Sequence, residues 1–414
     1  MASPWARLSR VAAVVLITAC EGHVGGDGFV DASVRDAGQP TTPDGGASDA
    51  GFDAGAAASS DAGQPDAGIT FDAGAPDTGV PDASTRPPGL VPMFVVSGWG
   101  GRLVSSCDDG RTWVANDEPH TTTGGEFNDK GIAYAQGVFM QIIGWGALCS
   151  FKRTVDGVTW QHLSLDDVGL PPMAECGGIA SPGDGFVMLH GPSGQAFLSS
   201  DAGLRFSLIG SFDNREYIRD VGGGGPVPGV IGAGGGNDAT GVLKNPPHFS
   251  VDRGLTWKET PGCSTFNAVS VGQNGGVAYG NHRLVFVGYR GQVCVTSDLA
   301  TFSEAQLDVS SSVVIQGRAS FAGGRFWVGN GGTLFVSPDG LNWDAGTLPS
   351  GMQLHTVAIS DETGTLVAFN QGTSAFYRST DRGATWLPAT GPGSGPNLGR
   401  IVFGYGQPSA NCPP

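Results

Sequence analysis

Apolar residues along most of this chain fall in runs of three to six, and each run is bounded by glycine-rich turns. Val277-Ala278-Tyr279, Leu284 to Val287 and Val293 to Val295 form one such trio. Ile132-Ala133-Tyr134, Val138 to Ile143 and Leu148 to Arg153 form another, and Ala319 to Phe321, Phe326 to Val328 and Leu334 to Val336 a third. Runs this short, bounded by turn residues and without sustained helical periodicity, predict antiparallel β-strands. After each trio comes a polar phrase, Ser-x-Asp-x-Gly-x-Thr-Trp. It is intact at Ser106 to Trp113, Ser250 to Trp257 and Ser379 to Trp386. Ser199 to Phe206 keeps the frame with a different aromatic, and Thr154 to Trp160, Ser337 to Trp343 and Thr296 to Phe302 are shorter forms.

The closing aromatics, Trp113, Trp160, Phe206, Trp257, Phe302, Trp343 and Trp386, recur at steps of 41 to 51 residues. A period of that length matches one four-stranded propeller blade. The reading is therefore an all-β, seven-bladed β-propeller of four-stranded antiparallel blades over residues 90–406, with a tail at 407–414. The first blade lacks an innermost strand, since Phe94-Val95-Val96 matches the second strand of the others. Ile401 to Tyr405 supplies the missing one, so a C-terminal strand joining the N-terminal blade closes the ring and removes an open edge. Residues between Asp220 and Ser250, with Gly222 to Gly225 and Gly234 to Gly236, read as an insertion and a long loop. No Gly-Lys-Ser/Thr follows these glycines, which argues against nucleotide binding.

The repeated phrase resembles the Asp-box, or BNR repeat, of sialidases and of photosystem-assembly-factor-like propellers. In each copy the Ser or Thr and the Asp can bond nearby amides across a tight turn, and the glycine suits a positive φ. Asp108, Asp156, Asp201, Asp252, Asp298, Asp339 and Asp381 are thus read as structural, joining the third and fourth strands of a blade.

The N-terminus is a different kind of sequence. Arg7 and Arg10 precede an apolar run, Val11 to Ala19, too short to span a bilayer as a mature helix. Leu16-Ile17-Thr18-Ala19-Cys20 resembles a bacterial lipobox, which implies a signal peptide at 1–19 and lipid attachment at Cys20. An ordinary secretory signal is the other reading. Residues 20–89 repeat Asp-Ala-Gly among prolines and have almost nothing to bury, so they read as a disordered tether. A coil of that length reaches roughly 45 Å. The expected address is the bacterial cell envelope, lipid-anchored, at the outer membrane or cell surface rather than the inner membrane.

Of the net charge of −16, the region from residue 90 onward carries 26 acids and 18 bases, so nucleic acid is not an expected partner. With Cys20 lipidated, six cysteines remain, an even set suited to disulfides in an exported chain. Proximity along the blades pairs Cys149 with Cys176, Cys263 with Cys294, and Cys107 with Cys412; buried free thiols are the alternative. No metal-ligand spacing appears, and neither a metal nor a cofactor is expected.

The resemblance implies ligand binding on the rim opposite the repeat turns, where the innermost strands start. Arg219, Arg318 and Arg400 occupy such starts, with Lys130, Asn267 and His355 in similar places. Guanidiniums around one funnel suit a carboxylate or phosphate, as in the arginine triad of sialidases. Each Arg pairing with its own neighbouring carboxylate is the competing reading. Trp99 and Trp145, each in Gly-Trp-Gly, and Tyr289 with Arg290 are candidates for stacking on a ligand, or for packing between blades. No catalytic set emerges. The sialidase Phe/Tyr-Arg-Ile-Pro motif is missing, Glu216 and Tyr217 are adjacent, and Glu126, Asp129 and Asp220 are not paired by spacing. No Gly-x-Ser-x-Gly elbow is present either. The expectation is a non-catalytic envelope lipoprotein that binds a glycan or another envelope protein. The alternative is a sialidase-like exo-glycosidase acting on an acidic sugar.

Overall fold

In the computed structural model the described residues are 86–116, 129–144, 149–173, 176–183, 185–190, 194–211, 220–223, 231–234, 247–263, 276–288, 290–309, 315 and 318–413. The signal peptide, Cys20 and most of the tether fall outside them. The described residues belong to one compact unit within Ala73–Pro414.

The protein is an all-β propeller of four-stranded antiparallel blades. In chain order the strands are β1 (Val91–Gly98), β2 (Leu103–Ser106) and β3 (Val114–Asn116); then β4 (Asp129–Ala135), β5 (Val138–Ile143), β6 (Ser150–Thr154) and β7 (Gln161–Leu163). There follow β8 (Cys176–Ala180), β9 (Phe186–His190), β10 (Gln195–Ser199) and β11 (Ser207–Ser211); and β12 (Asp220–Gly223), β13 (Ile231–Gly234), β14 (His248–Ser250) and β15 (Lys258–Glu259). Next are β16 (Gly276–Gly280), β17 (Arg283–Val287), β18 (Gln292–Thr296) and β19 (Ser303–Gln306); and β20 (Ser320–Ala322), β21 (Arg325–Asn330), β22 (Thr333–Ser337) and β23 (Asp344–Thr347). Last come β24 (Thr356–Ile359), β25 (Leu366–Phe369), β26 (Phe376–Ser379), β27 (Leu387–Ala389) and β28 (Leu398–Gly406).

Among the described residues these strands make seven sheets. Six are consecutive quartets, and one has the order β28-β1-β2-β3. In that sheet Val91 lies opposite Gly406, Val95 opposite Val402 and Val96 opposite Ile401. The first strands touch in succession, β28 with β4, β4 with β8, and so through β12, β16, β20 and β24 to β28 again.

One expectation fails. Asp220–Gly223 and Ile231–Gly234 are not insertion but the first two strands of their sheet, paired Asp220 to Gly234 and Gly223 to Ile231. Glycine is used there for close approach. A Cβ on Gly232 would collide with Val277 and with the ring of Phe286 in the next sheet.

The core lies between neighbouring sheets. Met140, Phe151, Phe186 and Phe206 fill one gap, and Val285, Val295, Phe326 and Phe335 another. Phe94, Val104 and Trp113 meet Val367, Phe369 and Phe376 across the gap between first and last sheets. The Trp113 and Phe376 rings stack there, 3.9 Å between centroids.

The repeat turns supply the wedge between sheets. In every copy the Asp carboxylate accepts at least one main-chain N–H ahead of it. Asp108 Oδ1 takes those of Arg111 and Thr112, and Asp339 Oδ1 those of Leu341 and Asn342. Even the divergent fifth copy keeps this pattern, with Asp298 accepting from Ala300 and Thr301. Trp113, Trp257 and Trp343 donate their indole N–H back to the turn glycine's carbonyl. Positive φ extends beyond the glycine: in the longer copies Asp109, Ala202, Arg253 and Arg382 precede it in the same conformation. Each turn glycine faces the preceding sheet. Gly157 lies on Met93, Gly203 on Met140, Gly340 on Val285, Gly383 on Trp327, and Gly110 on Val367 of the last sheet. Leu299 takes the glycine's place in the fifth copy at φ 58°, with its side chain against the cluster of Phe249 and Cys294.

All three disulfides form: Cys107–Cys412, Cys149–Cys176 and Cys263–Cys294. A carboxylate that sequence reading passed over, Asp109, ties first sheet to last. It accepts from the Thr363 and Thr365 hydroxyls at 2.6 and 2.7 Å and from Arg378 at 2.8 Å.

Candidate ligand site at the arginine end of the axial cavity

A cavity of about 370 Å³ runs where the first strands converge. Its walls include Ile132, Ile179, Val277, Val357 and Ile401, and Arg318 and Arg400 both line it. Arg318 stands just ahead of β20, and its backbone N–H donates to the His355 carbonyl at 3.0 Å, which sets it level with the start of β24. Arg400 lies in the first turn of pairing of β28 and passes over Gly131. A Cβ there would sit 3.0 Å from Arg400 Cδ and 3.2 Å from its Nε, so the glycine makes room for the guanidinium.

Both arginines feel the charge of Asp129, the first residue of β4, which is buried. Ser97 Oγ donates to its Oδ2 and Gln141 Nε2 to its Oδ1, each at 3.0 Å. Gly399 abuts the same carboxylate and leaves no space for a side chain. Burial pushes the Arg318 guanidinium below its ordinary value, and Asp129 opposes that shift. Burial likewise brings Arg400 down to about 10, against the opposing charge of Asp129, so Arg400 remains a cation at neutral pH. His355 is held at about 3, by burial first and by the charge of Arg318 second, and is therefore neutral. Such a site offers charge-assisted donors to an anion from a shielded setting, where they are stronger than in water.

Arg318 and Arg400 are thus brought to one cavity. Arg219, Trp145, Tyr289, Asn267, Glu216, Tyr217 and Glu126 lie outside the described residues. Trp99 is half-buried in a 3-10 turn, with its backbone N–H on the Asn397 carbonyl, and Arg290 is exposed; neither lines the cavity. Lys130 is half-buried at the start of β4. Sequence reading missed the clamp on Asp129, because Ser97 and Gln141 are 32 and 12 residues away and only the blade register joins them. It also missed Arg102, buried in the neighbouring seam and bonded to Ser374 Oγ and the Pro396 carbonyl, each at 2.7 Å.

No family model matches this chain, and no curated protein matches it. Among solved structures it is similar to YCF48 bound to D1 peptide, at 16% identity and a TM-score of 0.46, covering 64% of this chain and 82% of that one. YCF48 from Cyanidioschyzon merolae is similar at 18% identity and a TM-score of 0.44, with 64% and 86% covered. A protein assigned as a 6-phosphogluconolactonase from Bacteroides uniformis aligns at 11% identity and a TM-score of 0.52, over 76% of this chain and 99% of that one. At these identities the likeness concerns the fold alone.

Proposed function

We propose that this chain is a lipid-anchored envelope protein that presents a binding propeller, and that its ligand docks an anionic group on Arg318 and Arg400. The observation that carries the reading is the convergence of these two half-buried arginines on one axial cavity. We read the seven sheets as a closed ring of seven blades, supported by the β28–β1 pairing and by the unbroken succession of first strands. The self-bonded Ser-x-Asp turns support the Asp-box reading.

The placement of the chain's ends suits presentation. Residues 86–90 lead into β1 at Val91, which pairs with Gly406, whereas Arg400 lies near the far end of that ladder. Arg86 reaches Glu362 at 3.6 Å, beside the turns rather than the arginines. Residues 86–90 thus lie on the turn face, at the end of the β28–β1 ladder away from Arg400. Lipid on Cys20 would fix the tether's other end to a membrane.

The test is a glycan array and a fluorogenic sialoside panel with the full chain. Binding without turnover, weakened at least tenfold by Arg400→Gln, is the expected outcome. Turnover abolished by that substitution would replace this reading with the glycosidase one. Binding indifferent to Arg318→Gln and Arg400→Gln would remove the arginine site.

A further inference from the structure

The lining of the axial cavity also carries a charge of opposite sign to the arginines. Asp361 lines it just beyond β24; the residue as a whole is exposed, while partial burial of its carboxyl raises it above its ordinary value. Its charge reaches Tyr134 on β4, whose phenol is raised by burial first and by Asp361 in lesser part, so the two face the same space. Arg318 is level with His355, and Asp361 follows six residues later. At about 3.3 Å per strand residue, the charges stand roughly 15–20 Å apart along the axis. A volume of about 370 Å³ spread over such a length is a narrow bore, suited to one extended chain. Its walls are the edge strands of the sheets, whose outward amides and carbonyls are complementary to another main chain.

We propose that the cavity takes a short peptide with both ends free, its carboxylate on Arg318 and Arg400 and its ammonium on Asp361. This rests on the arginine-site reading above. At about 3.3–3.6 Å per extended residue, a peptide of roughly four or five small residues matches the span. Bulky side chains are excluded by the bore, and an internal segment of a folded protein lacks the paired end charges.

The experiment is isothermal titration of the full chain with tetraalanine and pentaalanine, their N-acetylated and C-amidated forms, and a free sialic acid. The free peptides are expected to bind, and each cap to weaken binding at least tenfold. Asp361→Asn should bind acetylated and free peptides equally while still rejecting the amide. Because Asp361 lies in the loop just beyond β24, this near-isosteric variant tests the proposal even where Arg400→Gln perturbs folding. Equal binding of acetylated and free peptide by the unaltered chain overturns the proposal and leaves the arginine site standing. So does Arg400-dependent binding of the sugar with no peptide binding. Absence of any Arg400-dependent binding removes both.

Discussion

At the scale of single residues, the turn glycines answer two demands at once. Gly383 has φ 85°, and a Cβ there would lie 2.5 Å from the Trp327 ring. Gly351 has φ 83° but nothing within 4 Å. The pair separates conformation from contact. Gly351→Ala is expected to cost about 1 kcal/mol, the left-handed backbone term alone. Gly383→Ala should cost roughly 2–4 kcal/mol, because overpacking adds to it. Urea denaturation of both variants checks this, and equal losses would mean the sheet behind Gly383 yields freely. The aspartates of the same turns are spent on local bonds. Asp381 is held at about 2 by the Thr385 hydroxyl and N–H and then the Ser379 hydroxyl. A carboxylate satisfied in this way is a poor candidate for proton transfer near neutrality.

At the scale of elements, β28 carries the heaviest duty. It completes the first sheet, brings Arg400 to the cavity, and leads to Cys412, bonded to Cys107 across 305 residues of chain. Deleting residues 398–414 strips β1 of its partner on one side and exposes a long apolar edge. The expected result is an insoluble or non-cooperatively folding protein; a soluble truncation with one sharp melting transition would refute the role assigned to β28. Cys412→Ser tests the staple apart from the strand. A closed loop this long is expected to contribute about 2–5 kcal/mol, chiefly by restricting the unfolded chain. The variant should fold, with a lower melting temperature. Asp109, with Thr363, Thr365 and Arg378, holds the same junction noncovalently.

At the scale of the whole molecule, acid should weaken the fold in two stages. His355 is neutral in the folded state, with its pKa lowered from 6.5 to about 3. The unfolded chain takes up a proton there first, so stability present above about pH 6.5 is lost as pH falls toward 3. The turn aspartates, among them Asp108, Asp156, Asp252 and Asp339, are also depressed; hydrogen bonds to the carboxylates outweigh the opposing effect of burial. Their contribution is present above about pH 4 and is lost below it. Melting temperature against pH is expected to slope gently from 6.5 to 4 and steeply below. His355→Gln should flatten the first stage only, and an unchanged slope would show that His355 is not the group responsible. Anion binding should be level from pH 5 to 8 and weaken above about 10 as Arg400 loses its proton.

Much of the fold was legible beforehand because its cause is local and repeated. The Ser-x-Asp-x-Gly phrase makes its own hydrogen bonds, the glycine marks the positive φ, and the apolar trios between copies have the period of strands. Repetition turns weak local signals into an architecture, and the three cysteine pairings follow from it. The site was half legible. Arg318 and Arg400 were marked by their place at strand starts, but their proximity, the neutral state of His355 and the clamp on Asp129 by Ser97 and Gln141 were not. Those depend on the register of strands far apart in sequence, and on burial, which no local pattern encodes. The first two strands of the fourth sheet were hidden for a related reason: Gly222, Gly232 and Gly234 read as loop, and at Gly232 only the close approach of Val277 and Phe286 makes glycine the residue that fits.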